Sequence, residues 1–286
     1  MKPSLLFPSY FRIIGVILLF PGLILGYIFI FLDQVIAFLD YDSGNLTDEV
    51  ATTLIVSGLI LIGFSRLKNE SNETAKLRLV ALYWSVLADG VLSLFYWILL
   101  FFVEIHKLQF SIKWLNFDLS TYNLFILLVI FIARYYYTLN RFKKGKKAQT
   151  LYFLPTDRFG FIWKIMSALF FSLIVADVAF PSMDQMLKLL LLDDVIILLP
   201  FCLLMSIWSR EKSEIVLIKN LRFRSMQMAV YINYSLLLAA TWLVYGGDYL
   251  LVQLAGLVSL PIIFLIIFYY QLYRVFKTKK LGYLVK

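Results

Sequence analysis

The chain has 286 residues, of which 62% are hydrophobic and only 16% are charged, and its formal net charge is +9. A soluble domain carries about 25% charged residues, so this composition excludes an ordinary water-soluble domain and predicts an all-α integral membrane protein. The basic residues are scattered between apolar segments, which argues against a nucleic-acid partner. One cysteine excludes an internal disulfide and a cysteine metal cluster, and the position of the single histidine, His106, at the expected outer interface excludes a catalytic triad and a histidine-rich zinc site.

Eight apolar segments approach the roughly 20 residues that a helix needs to cross a bilayer. The first four lie at residues 10–32, 49–64, 77–103 and 122–139, and the second four lie at residues 159–180, 187–208, 227–245 and 249–273. Glycines in the first two segments allow close helix approach, and Asn233 gives the seventh segment a polar side chain suited to an interhelical hydrogen bond. We therefore predict a polytopic membrane helical bundle of about eight transmembrane helices.

The distribution of positive charge predicts the orientation of these helices. All but three of the 27 Lys and Arg residues fall at the two termini or in the loops on one side of the predicted membrane, and the exceptions are Lys107, Lys113 and Lys188. Cytoplasmic loops are enriched in Lys and Arg. We therefore expect a multi-pass protein of the cell membrane with both termini in the cytoplasm.

The sequence also repeats itself. FSRLKNE, beginning at Phe64, matches WSREKSE, beginning at Trp208, and a Leu-Arg pair follows each segment at the same distance. At the end of each half, YYTLNRFKK matches YYQLYRVFKTKK. The pattern predicts two four-helix repeats, residues 1–147 and 148–286. Because each repeat holds an even number of spans, the two would share one orientation.

The second half resembles a known group of proteins. The segment SREKSEIVLIKNLRFRSMQMAVYINYSLLLAATWLVYG, followed by FYYQLYR, is similar to uncharacterised four-span bacterial integral membrane proteins. These share a Ser-Lys/Arg-Glu-Lys turn, a Leu-Arg pair, a Val-Tyr-Ile-Asn-Tyr stretch and a closing Tyr-x-Leu-Tyr-Arg. The resemblance implies a four-helix membrane fold duplicated in tandem and a bacterial inner-membrane location, and it implies no activity.

Charged residues recur at corresponding positions of the two halves. An Arg-x-x-x-Glu spacing, followed by a second arginine eight residues later, gives one set of candidate functional residues in each half: Arg66, Glu70 and Arg78, and Arg210, Glu214 and Arg222. In a helix, this spacing places the first Arg and the Glu one turn apart. The two sets are interpreted either as a cytoplasmic docking surface or gate, or as solvated helical hairpins with weak ion pairs.

Four acidic residues are the other candidates. Asp89 is predicted near the middle of the third span and Asp177 near the outer end of the fifth, where an isolated charge is costly. Asp193 and Asp194 lie in the sixth span and correspond to Asp48 and Glu49 at the start of the second. These acidic pairs are interpreted either as a shared cation or proton site or as negative charge at helix N-termini. Asp89 is interpreted either as a functional site or as a protonated, hydrogen-bonded packing residue.

No catalytic motif and no cofactor-binding motif is present, so two non-enzymatic functions are carried forward. The first is a sensory, regulatory or assembly module whose charged hairpins contact a cytoplasmic protein. The alternative is a small transporter or channel with its pathway between the two repeats, motivated by Asp89 and Asp177. The cluster of lysines at 143, 144, 146 and 147 adds anionic lipid to the expected bilayer partners.

Overall fold

The computed structural model of the chain describes residues 6–32, 34, 36, 39–41, 44–68, 70–105, 119–146, 153, 157–179, 198–210, 216–244 and 249–284. Within these residues the protein is all-helical, apart from a two-stranded hairpin of two residues per strand, β1 (Asp40–Tyr41) and β2 (Gly44–Asn45). The helices are α1 (Phe11–Phe31), α2 (Thr47–Phe64), α3 (Asn72–Ile105), α4 (Leu119–Lys143), α5 (Asp157–Ala179), α6 (Leu198–Trp208), α7 (Val216–Leu243) and α8 (Tyr249–Leu284).

Five of the described helices are long and apolar enough to cross a membrane. They are α1, α2, and the segments Asn72–Tyr96 of α3, Phe125–Lys143 of α4 and Val258–Lys277 of α8. This confirms the predicted fold class, a polytopic membrane helical bundle. The described apolar parts of α5 and α6, Gly160–Leu173 and Leu198–Trp208, are shorter. The helix α7 covers most of the seventh predicted span but is not among these five.

Large apolar side chains cover the outside of these helices. On α1, Ile13 is 66% exposed, Ile17 is 63% exposed and Phe20 is 69% exposed, and its buried residues are Gly15 and Gly22. Water would disfavour so much apolar surface, by about 25 cal/mol for each Å². Lipid removes this cost, so a hydrocarbon environment accounts for the exposed faces.

The described chain divides into two compact units, which are treated separately. Unit 1 comprises Met1–Val86, Asp118–Gln149 and Tyr234–Gln253, and unit 2 comprises Leu87–Phe117, Thr150–Asn233 and Leu254–Lys286. The predicted repeat boundary between residues 147 and 148 lies close to one of these divisions, but α3 and α7 each contribute to both units. The division into two repeats stays a prediction.

In unit 1, α1 and α2 pack through glycines. A Cβ atom added to Gly58 would lie 2.8 Å from the carbonyl oxygen of Gly15, and one added to Gly15 would lie 2.7 Å from that of Gly58. Both distances are too short for any side chain, so only glycine permits this spacing. Beside this contact, Phe7 forms a parallel bridge with Ser65, which brings the start of α1 and the end of α2 to the same side of unit 1.

In unit 2, the helices are joined by small residues and by a partly buried polar contact. Gly90 of α3 packs against the side chain of Leu204 in α6, and Gly160 of α5 packs against Ser209. The hydroxyl of Ser259 in α8 donates a hydrogen bond of 2.6 Å to Oδ1 of Asn233 in α7. The predicted interhelical role of Asn233 is thereby confirmed.

Candidate functional site

Two arginines are the largest fully buried side chains described. Arg78 in α3 and Arg222 in α7 are each 1% exposed. An ionised side chain removed from water costs several kcal/mol unless charges and hydrogen-bond acceptors compensate it. The partners of each arginine must therefore compensate its buried charge.

In unit 1, Arg78 is held by a carboxylate and a phenol. Its Nη2 lies 3.2 Å from Oε1 and 3.3 Å from Oε2 of Glu70, and the same nitrogen donates a hydrogen bond of 3.1 Å to the hydroxyl of Tyr135 in α4. The guanidinium carbon lies 4.9 Å from the centroid of the Tyr135 ring, within cation–π range. The side chain of Glu70 is only 8% exposed, so this ion pair is buried.

This geometry differs from the arrangement inferred from the Arg66–Glu70 spacing. Residues 65–68, 70 and 71 are not helical, so Arg66 and Glu70 do not lie one turn apart on a helix. The reason is the start of α3, where Ser71 and Thr74 cap the helix reciprocally: the Thr74 N–H donates to Ser71 Oγ at 3.2 Å, and the Ser71 N–H donates to Thr74 Oγ1 at 2.9 Å. Glu70 precedes this cap and turns back to Arg78, while Arg66 is exposed.

In unit 2, Arg222 is held by the end of α6. Its Nη1 donates to the carbonyl oxygen of Ile207 at 3.0 Å and to that of Ser209 at 2.9 Å. The last carbonyls of a helix lack partners within the helix and form the negative end of its dipole, so they suit a guanidinium. The ring centroids of Phe153 and Phe268 lie 4.7 and 5.3 Å from its central carbon. The interpretation of the two sets as solvated hairpins is therefore wrong for Arg78 and Arg222.

Three contacts between a cation and an aromatic ring recur in corresponding places. In unit 1 the rings belong to three consecutive tyrosines of α4, and in unit 2 they belong to the aligned Phe-Tyr-Tyr of α8. The pairs are Arg78 with Tyr135 and Arg222 with Phe268, Arg12 with Tyr136 and Lys164 with Tyr269, and Arg141 with Tyr137 and Arg274 with Tyr270. In each unit, three consecutive aromatic residues thus each lie close to one cation.

Unit 1 also contains a basic pocket, defined here by Arg12, Arg66, Lys68 and Lys143 with Tyr10 and Phe142. Its cavity volume is about 880 Å³, and the residues that line it include no Asp or Glu. Nε and Nη2 of Arg12 are buried and form no hydrogen bond within the described part of the chain. The sequence analysis did not identify this pocket, because Arg12 and Lys143 come from opposite ends of the first half and meet only through packing.

The acidic candidates do not form a cluster in the described chain. Asp89 lies in α3 within unit 2, partly exposed, and its Oδ1 is buried and accepts no hydrogen bond from a described residue. Asp177 lies in α5, but its side chain, like residues Asp193, Asp194 and Glu214, lies outside the described part. Arg210 is exposed just after α6. Among the described residues, no group of three or more His, Cys, Asp or Glu is placed to hold a metal ion.

Comparison with known proteins finds no matching family, no matching curated protein and no matching solved structure. The buried arginines, the basic pocket and Asp89 are therefore the features from which a function can be inferred.

Proposed function

We propose that the chain is a non-enzymatic sensory, regulatory or assembly module of the bacterial cell membrane, built from two parallel four-helix repeats with both termini in the cytoplasm. Its charged loops after α2 and α6 would dock on an acidic surface of a cytoplasmic protein. The skewed distribution of Lys and Arg supports the orientation. The resemblance of the second half to four-span bacterial membrane proteins supports the location.

The observation that carries the docking proposal is the buried arginine behind each loop. Arg78 bonds back to Glu70 before α3, and Arg222 bonds back to the carbonyls of Ile207 and Ser209 at the end of α6. In each loop, one described residue, Glu70 or Ser209, is thereby tied to the helix that follows. Exposed Arg66 and Arg210 lie in these tied loops. A preorganised loop loses less conformational entropy on binding than a flexible one, so this arrangement favours docking.

Co-purification from native membranes tests this function. We expect the full chain to retain one protein in constant proportion, and either Arg66→Glu or Arg210→Glu to reduce its recovery. The matched controls Lys144→Glu and Lys277→Glu make the same charge change at exposed positions outside the two loops, and they should retain the partner. Recovery of the chain alone in every mild detergent would contradict the proposal.

One observation favours a second function, a small transporter or channel. Asp89 lies in a membrane-spanning helix, and its Oδ1 is buried without a described hydrogen-bond donor. A buried carboxylate oxygen without a hydrogen-bond donor is suited to bind a proton or a cation that passes through the membrane.

Ion or proton flux into vesicles that contain the purified chain tests this second function. We expect Asp89→Asn to lower the flux by about tenfold or more, because the carboxylate is lost while the side-chain shape is kept. Flux that is indistinguishable between the wild-type chain and Asp89→Asn would remove Asp89 from any transport role.

A further inference from the structure

The described side chains that line the basic pocket of unit 1 include four cations and no carboxylate. Glu70, which precedes α3, is engaged by Arg78 and does not line the pocket. Like charges that converge on one cavity repel each other. An anion in the cavity would remove this repulsion, and its absence would leave the repulsion uncompensated.

Arg12 provides the second observation. Two of its nitrogens, Nε and Nη2, are buried without a hydrogen-bond acceptor within the described residues. A buried donor without a partner is costly, and the cost is larger for a charged group. The guanidinium presents its donors as a planar fork, which matches the oxygens of a phosphate group. The side chain is also placed over the ring of Tyr136, 6.0 Å from the centroid, which restricts its orientation.

The shape and position of the pocket agree with such a ligand. A volume of about 880 Å³ lies within the range of roughly 300–1,000 Å³ typical of small-molecule sites. Tyr10, Leu139 and Phe142 add apolar surface to the lining. The pocket lies where α1 begins and where α4 ends, at the same end of unit 1, beside the exposed apolar face of α1. A phosphate group would therefore meet cations at one end and apolar surface next to them.

We propose that this pocket binds a phosphate group, with Arg12 as its principal ligand and Arg66, Lys68 and Lys143 completing the charge compensation. The phosphate is either the headgroup of an anionic lipid or a free phosphate ion, and both present the same oxygens to the guanidinium. The pocket shares Arg66 and Lys68 with the loop after α2, but its principal ligand Arg12 and Lys143 belong to neither docking loop. It does not depend on a protein partner.

Binding to the purified full chain in a zwitterionic detergent tests the proposal. One arm adds short-chain phosphatidylglycerol, a second adds the phosphatidylcholine of the same chain length, and a third adds inorganic phosphate. The thermal midpoint of unfolding and lipid adducts in native mass spectrometry provide the readouts. We expect phosphatidylglycerol or inorganic phosphate to raise the midpoint, because a ligand bound only by the folded state stabilises it, and phosphatidylcholine to leave the midpoint unchanged.

The variants define the site. Arg12→Gln should weaken the binding of the active ligand about tenfold or more, because it removes a charged hydrogen-bond donor. Lys143→Gln, at an exposed position that should not affect folding, should weaken binding to a smaller extent. Lys277→Gln, a matched charge loss in unit 2, should bind as the wild type does.

The outcomes distinguish a lipid headgroup from a free phosphate ion and test whether the pocket binds phosphate. A shift with phosphatidylglycerol alone identifies a lipid headgroup, and an equal shift with inorganic phosphate identifies the free ion; both support the proposal. Absence of a shift with either ligand overturns it. Wild-type affinity in both Arg12→Gln and Lys143→Gln also overturns it, because binding would then take place elsewhere. Loss of a protein partner in native membranes would not affect this result, so the two proposals fail separately.

Discussion

Arg78 and Arg222 occupy aligned sequence positions, and both guanidinium groups are buried. Different partners compensate the two charges. Arg78 faces a carboxylate, whereas the described hydrogen bonds of Arg222 reach backbone carbonyls at a helix end. Both stand beside an aromatic ring of a later helix. A buried ion pair contributes little net stability, but removing one member leaves an uncompensated charge, which costs about 3–5 kcal/mol. The pair in unit 1 can be tested directly.

Arg78→Met should lower the free energy of unfolding by about 3–5 kcal/mol, because it leaves the carboxylate of Glu70 buried beside an apolar side chain. The double variant Arg78→Met with Glu70→Gln removes both charges and should recover part of this loss. Unfolding curves in mixed micelles measure the difference. Lys277→Met, at an exposed position, serves as the control and should change stability by less than about 1 kcal/mol. Equal losses in the single and double variants would show that the two side chains are not coupled.

At the scale of helices, the contact between α1 and α2 depends on the absence of side chains. Gly58 and Gly15 each approach the carbonyl oxygen of the other, and both clashes would be with backbone atoms that cannot move independently. Gly26 lies on the same helix as Gly15, and a Cβ atom added there would meet only the end of the Ile55 side chain, at 3.7 Å. The two positions therefore provide a matched comparison of close and ordinary packing.

Gly58→Ala should destabilise the α1–α2 contact by about 1–3 kcal/mol, which is typical of overpacking. Gly26→Ala should be neutral or slightly stabilising, since alanine favours the helix by about 1 kcal/mol over glycine. Thermal unfolding midpoints in one detergent compare the two. If both variants unfold at the same temperature as the wild type, the helices do not approach as closely as described.

The sequence predicted the helices well because apolar length controls where a chain crosses a bilayer. Helices α1 and α2 lie within two residues of the predicted bounds. The sequence was less informative about side-chain contacts, because spacing along the chain does not determine which side chains meet. The cap formed by Ser71 and Thr74 starts α3 only after Glu70, so Arg66 and Glu70 do not share a helix. The polar role of Asn233 could be predicted, but its partner Ser259 depends on how α7 and α8 pack.

For the whole molecule, the strongest support for an ancestral duplication is the repeated set of cation–ring contacts. Tyr135, Tyr136 and Tyr137 in α4 receive three cations, as do the aligned residues 268–270 in α8. Short sequence matches alone arise easily between apolar helices. Matches that also reproduce contacts inside separate units are harder to explain by composition. If the two halves are parallel repeats, the loops that follow α2 and α6 face the same side of the membrane.

Single cysteines placed in a chain that carries Cys202→Ala test this orientation. Lys68→Cys and Arg210→Cys should react with a membrane-impermeant maleimide only after the cells are permeabilised, because both loops are predicted to be cytoplasmic. Lys107→Cys, in a predicted outer loop, should react in intact cells. An even number of spans between residues 68 and 210 is required for the two sites to share a side. Opposite accessibility of these two sites would therefore exclude parallel repeats, whatever the helices' individual packing.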